Sequence, residues 1–142
     1  MANKKQLDLL RQNVEGWNKL KKENPLINFD LSGTDLSGVD LSGANLRGVD
    51  LLGVNLNGAV LLGANLRGAN LREADLREAD LFGANLREAS IYRADLSDAD
   101  LNEANLTKGS IGGTIFGNNN LRNTTGLETI EHFDSSTVGT DT

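Results

Sequence analysis

The residues best equipped for chemistry in this chain are its carboxylates and carboxamides. Asp or Asn occupies fifteen of the twenty positions spaced five apart from residue 25 to residue 120. Asp75, Asp80, Asp95 and Asp100 look like paired carboxylates, the groups used for general acid–base work. Their recurrence argues against that role. A catalytic pair occurs once, whereas a side chain that returns in every repeat serves every repeat alike, by bonding nearby backbone in tight turns. There is no Cys, which excludes disulfides and thiolate chemistry. His132 is the single His. The Gly residues follow the five-residue period, not the spacing of a phosphate-binding loop. Gly112 and Gly113 precede Thr114, Ile115 and Phe116, so the calcium-binding nonapeptide repeat is absent. No catalytic residue, cofactor site or metal site is expected, and the chain reads as a non-enzyme.

The elements that hold these side chains follow from the same period. One large apolar residue returns at every fifth position from Leu26 to Leu121, twenty times; seventeen are Leu and the others are Ile91, Ile111 and Phe116. Two residues before this centre stands a small residue, Ala at eleven positions and at every one from Ala59 to Ala104. Gly dominates two residues after the centre up to Gly68, and Glu stands there at Glu73, Glu78, Glu88 and Glu103. The unit is A-(D/N)-L-x-(G/E). Its apolar–polar–apolar alternation is a strand signature. A strand so short must turn at once, and Gly, Asn and Asp allow that. Period five does not keep one face on an α-helix.

The stretch AnLrgAnLreAdLreAdLfgAnLreA from Ala64 to Ala89 resembles the pentapeptide-repeat family, in particular its short members of cyanobacterial type, and the resemblance covers about two thirds of the chain. The resemblance implies an all-β solenoid, a right-handed quadrilateral β-helix with four repeats per coil and about five coils. Centres and small residues would then point inward, and outward residues twenty apart would stack on one face. Sorted this way, Arg47, Arg67 and Arg87 form a candidate basic stripe for an acidic partner or phosphate groups. Asn45, Asn65, Asn85 and Asn105 are expected to form a ladder of amides bonded along the stack. Leu62 falls beneath Phe82 in a column that otherwise carries Ser42 and Asn102, and Val60 replaces the usual Asp or Asn beside Leu62. These three make a candidate protein-interaction patch. A further column holds Leu52, Arg72 and Tyr92.

Residues 1–25 read as an N-terminal cap. One amphipathic helix is predicted from about Asn3 to Glu23, burying Leu10, Val14 and Trp17, with Gly16 weakening its middle and Pro25 ending it. Residues 26–123 are the repeat, with every centre inward. Residues 124–142 are a C-terminal cap, a short helix or turn around Leu127, Ile130 and Phe133, followed by a disordered acidic tail from Asp134.

The formal net charge is −6. The basic excess lies in the first 25 residues and is too weak to indicate direct nucleic-acid binding. No apolar run resembles a signal peptide or a membrane span, and a cytoplasmic location is expected. Two functional readings follow. The first is a rigid protein-interaction scaffold for a protein partner. The second comes from the resemblance: some members of the family mimic duplex DNA and inhibit or protect DNA gyrase. That reading is disfavoured here because Arg47, Arg67, Arg72, Arg77, Arg87, Arg93 and Arg122 interrupt the negative field. The centres are also Leu, not the Phe often found in gyrase-directed members, and the C-terminus is short and acidic.

Overall fold

The computed structural model describes residues 2–132 and 137–138. The chain opens with two helices, α1 (Lys4–Gln12) and α2 (Val14–Glu23), where the sequence predicted one. The break is at Asn13 (φ −152°, ψ 87°), which ends α1 and caps α2. Its Oδ1 accepts the Gly16 amide at 2.8 Å, so one of the orphan donors of α2 is satisfied. A Cβ at Gly16 would stand 2.8 Å from Asn13 Nδ2 and 3.2 Å from Leu9 Cδ1. Gly16 is therefore what lets the capping side chain approach, not a weak point within one helix. Asn3 caps α1 through bonds from the Lys5 and Gln6 amides.

This helix pair closes the lower end of the repeat. Leu10 and Trp17 are completely buried, and Val14 is partly buried against them. The Trp17 ring meets Phe29 edge to face at 5.2 Å, and its Nε1 donates to the Asn45 carbonyl at 2.8 Å. Asn18 completes the closure. Its Nδ2 donates to the Gly43 carbonyl and its Oδ1 accepts the Asn45 amide, so one side-chain amide stands where the peptide of a preceding coil would be. Leu26 does not begin the core: it is 98% exposed. Leu26 precedes the first bridged residue, Asp30, while Phe29 is buried against Trp17. The inward series begins at Leu31 and runs through Leu106, Ile111 and Phe116, while Leu121 is only partly buried.

Sixteen isolated parallel bridges join residues twenty apart. They form four ladders of five residues each. The first runs Asp30–Asp50–Asn70–Ser90–Ser110. The second runs Asp35–Asn55–Asp75–Asp95–Ile115, the third Asp40–Val60–Asp80–Asp100–Asn120, and the fourth Asn45–Asn65–Asn85–Asn105–Thr125. Each ladder step is about 4.8 Å. Most strand character is thus a single residue per corner. Only near the C-terminal end do two-residue strands appear, where β1 (Ser110–Ile111) pairs with β3 (Glu131–His132) and β2 (Ile115–Phe116) with β4 (Thr137–Val138), both parallel.

A 3-10 turn at Leu127–Thr129 leads into β3. The expected disordered tail is corrected in part. Thr137 and Val138 pair with Ile115 and Phe116, whose outer ladder edge was otherwise open. Phe133, and the rest of the tail from Asp134, lie outside the described residues.

Complete hydrogen bonding explains the repeat unit. In residues 65–69, the Asn65 amide donates to the Ala44 carbonyl one layer below at 2.9 Å. The Leu66 and Gly68 amides donate to Asn85 and Arg87 one layer above, at 2.7 and 2.9 Å. The Ala69 amide closes the turn onto Leu66 at 3.0 Å. Only the Arg67 amide lacks a backbone acceptor, and Asn65 Oδ1 supplies one at 3.1 Å. Asp or Asn recurs because this fifth donor needs it. The expected Asn ladder is corrected accordingly. Asn45, Asn65, Asn85 and Asn105 each accept the amide two residues on instead of bonding along the stack. A bond along a stack does occur from Asn70 Nδ2 to Asp50 Oδ1, at 2.9 Å.

The residue two after each centre, from Gly33 to Asn123, has φ between 55° and 68°. Gly suits that left-handed conformation, yet Glu73, Glu78, Glu88 and Glu103 also adopt it.

Candidate functional site

The third face carries the predicted apolar patch. Gly43 donates to the Leu62 carbonyl, Gly63 to Phe82 and Gly83 to Asn102, so residues 42, 62, 82 and 102 stand in one column. Leu62 is 40% exposed and Phe82 37%. Val60 is half-buried in the ladder between Asp40 and Asp80. Because Val has no acceptor, the turn amide of Leu62 loses the side-chain bond that Ser42, Phe82 and Asn102 receive from Asp40, Asp80 and Asp100. The patch is therefore an apolar spot in an otherwise acidic face. At its edge the Ser42 hydroxyl donates to Asp40 at 2.6 Å, and this bond, with that from the Ser42 amide, holds the Asp40 carboxyl below its ordinary pKa.

The basic stripe lies on the fourth face. Gly48 donates to the Arg67 carbonyl and Gly68 to Arg87, which places Arg47, Arg67 and Arg87 in successive layers. Arg67 pairs with Glu88 at 3.2 Å. Arg87 Nε is buried without an acceptor among the described residues. Lys21, from α2, reaches over the first coil and donates to the Arg47 carbonyl at 2.8 Å. Burial and the nearby Arg47 charge both lower the Lys21 pKa.

On the first face, Arg72 and Arg93 lie over the Tyr92 ring at 5.3 and 5.2 Å from its centroid. Leu52, one layer below Arg72, is 40% exposed. On the second face, Arg77 grips Asp75 through both guanidinium contacts, at 2.9 and 2.7 Å, which pulls the Asp75 carboxyl below its ordinary range. Among the described residues no group of three or more His, Cys, Asp or Glu side chains is arranged to hold a metal. No helix among them is long and apolar enough to cross a membrane.

The profile of a family described as pentapeptide repeats matches in eight copies, over residues 26–53, 50–87, 59–98 and 79–118. The chain belongs to the pentapeptide-repeat family. Among solved structures, this pentapeptide-repeat chain is similar to alr5209, a pentapeptide repeat protein from Nostoc. That match has 30% identity over 80% of this chain and 93% of that chain, with a TM-score of 0.64. It is also similar to the pentapeptide repeat protein Rfr23 from the cyanobacterium Cyanothece. Identity there is 28%, coverage 85% of this chain and 97% of that chain, and the TM-score 0.56. No curated protein matches.

Two features of this pentapeptide-repeat solenoid escape a column-by-column reading of the sequence. Lys21 and Lys22 join the Arg47 end of the stripe, because only the folded cap brings α2 beside the fourth ladder. Glu88 neutralises Arg67 from the next layer, a diagonal relation that sorting by twenties does not display.

Proposed function

We propose that this pentapeptide-repeat protein is a non-catalytic, rigid protein-interaction scaffold, a right-handed square coil of about five turns. Its contact patch is Leu62, Phe82 and Val60. The observation that carries this reading is the stacking of two exposed large apolar side chains on adjacent layers, where the ladder also gives up its capping carboxylate. An Asp or Asn at position 60 would serve the turn better, so Val60 is a departure that the fold does not require. Asp40, Asp80, Asp100 and Glu103 surround the patch. The fitting partner therefore offers an apolar anchor within a basic rim.

The opposed charge of the faces argues against the DNA-mimic alternative. The fourth face is basic while the second carries Asp35, Glu78, Asp95 and Asp98 beyond the Arg77–Asp75 pair. A duplex mimic needs negative charge along its contact length.

Affinity capture from native cell extract tests the proposal. Phe82→Glu should lose the captured partner and leave the urea melting curve nearly unchanged. Retention of the same proteins by Phe82→Glu would remove the patch. Potent inhibition of gyrase supercoiling by the wild-type protein at micromolar concentration would replace the scaffold reading with mimicry.

A further inference from the structure

We propose that the fourth face is a separate binding surface for an extended acidic polypeptide segment. Its ladder is the only one of the four whose five bridged residues include no carboxylate. The fold does not impose this. Asp80 and Asn85 make the same turn bond, at 3.0 Å to Phe82 and 3.1 Å to Arg87. Choosing Asn at 45, 65, 85 and 105 leaves the cations above them without neutralising charge in the ladder.

Those cations form one continuous line. Arg47, Arg67 and Arg87 rise in steps of about 4.8 Å. Lys108 follows beside Thr107 at the upper end. Lys21 and Lys22 extend the line downward, around a hollow of about 540 Å³ that Arg47, Asn45, Pro25 and Ile27 also line. Of these six cations, only Arg67 has a carboxylate within 4.0 Å among the described residues, that of Glu88. Like charges in adjacent layers repel, and an anionic ligand would offset that repulsion.

The surroundings select the ligand. The flanking faces are mixed, with Asp50 and Glu73 beside Arg72 and Arg93 on one side, and Asp40, Asp80, Asp100 and Glu103 beside Arg122 on the other. A duplex nucleic acid would overlap those carboxylates. Single-stranded nucleic acid is bound by aromatic stacking platforms, and this face has none: Phe82 is on the third face and Tyr92 on the first. An extended polypeptide covers one face only and brings alternate side chains to it about every 6.8 Å. Exposed Ile27 at the lower end suits an apolar residue next to the acidic run.

Fluorescence anisotropy with a labelled peptide of alternating Glu and Ser is the test, with a single-stranded oligothymidylate of equal charge as comparator. The peptide should bind saturably, and more weakly as salt rises. Arg47→Gln/Arg67→Gln/Arg87→Gln should weaken it tenfold or more. The matched triple Arg72→Gln/Arg77→Gln/Arg122→Gln, with the same net charge on the other three faces, should stay within twofold of wild type. Glu88→Gln, which frees Arg67, should tighten binding at least twofold. Equal losses in both triples would reduce the effect to a diffuse field and overturn the proposal. So would tighter binding of the oligothymidylate, absence of saturable peptide binding, or an unchanged affinity in Glu88→Gln. Phe82→Glu should leave this affinity intact, which separates the surface from the apolar patch.

Discussion

Replacing Glu73, Glu78 and Glu103 by Gly should stabilise the protein. All three sit at the left-handed corner, with φ of 59°, 59° and 60°, and none has an ion pair among the described residues. An L-residue with a Cβ costs about 1–2 kcal/mol in that conformation. Gly removes that cost but adds about 0.4–1 kcal/mol of unfolded-chain entropy to be lost on folding. The difference is roughly 0.5–1 kcal/mol per site. The three residues lie on three different faces and do not stack, so their effects should add to about 1.5–3 kcal/mol. The reverse change isolates the cause. At Gly63 (φ 60°) an added Cβ would meet nothing within 4 Å, so Gly63→Ala tests the same backbone balance with no new contact and should cost about 0.5–1 kcal/mol. Urea melts followed by circular dichroism would measure both. If the triple variant is no more stable than wild type and Gly63→Ala is also neutral, left-handed corners carry no cost in this coil and the reasoning fails. Glu88 is set apart because its pair with Arg67 would be lost.

Leu71→Ala should cost about 2–5 kcal/mol by opening a cavity, and Ala74→Leu about 1–3 kcal/mol by overfilling the coil, since both positions are buried. Arg72→Ser, which loses only a ring contact, should cost under about 1 kcal/mol in the same melts. Gly16→Ala should fail to give the usual helix gain of about 1 kcal/mol, because the new Cβ displaces the Asn13 cap; a clear stabilisation would show that the cap can move. Acid should weaken the coil from about pH 4 downward. Asp35, Asp40 and Asp75 have lowered pKa values in the folded chain, through bonds from Ser37, Ser42 and Arg77, so their contribution is full above the unfolded value and is lost as pH falls through the folded one. Melts at pH 7, 5 and 3 should show little change over the first interval and a fall over the second.

The repeat was legible because its period is a packing constraint. The inward Leu and Ala, the stacked Arg column and the Leu62–Phe82 pair all follow once residues twenty apart are neighbours. The structure departs from the pattern where a local bond outweighs it. Asn13 could continue a helix by propensity, but its side chain caps the next one. The Asn residues could bond along their stack, but each has an orphan amide two residues away in its own turn. Leu26 keeps the period, but it precedes the first bridge and has no coil to enter. Lys21 and Lys22 carry no repeat signal, and only the packing of α2 brings them to Arg47.

The bonding pattern also fixes how such a molecule can change length. Every interlayer bond depends on a count of about twenty residues, whereas the inward and outward alternation depends on a count of five. Duplication of twenty residues would lengthen the rod and leave each side with its own character. Insertion of a single pentapeptide would keep every Leu inside but turn all that follows by a quarter revolution. An insertion between Arg67 and Arg87 would carry Arg87 around the corner and split the basic line. Surface identity in this protein is thus a matter of phase, lost by an insertion that its core would not register.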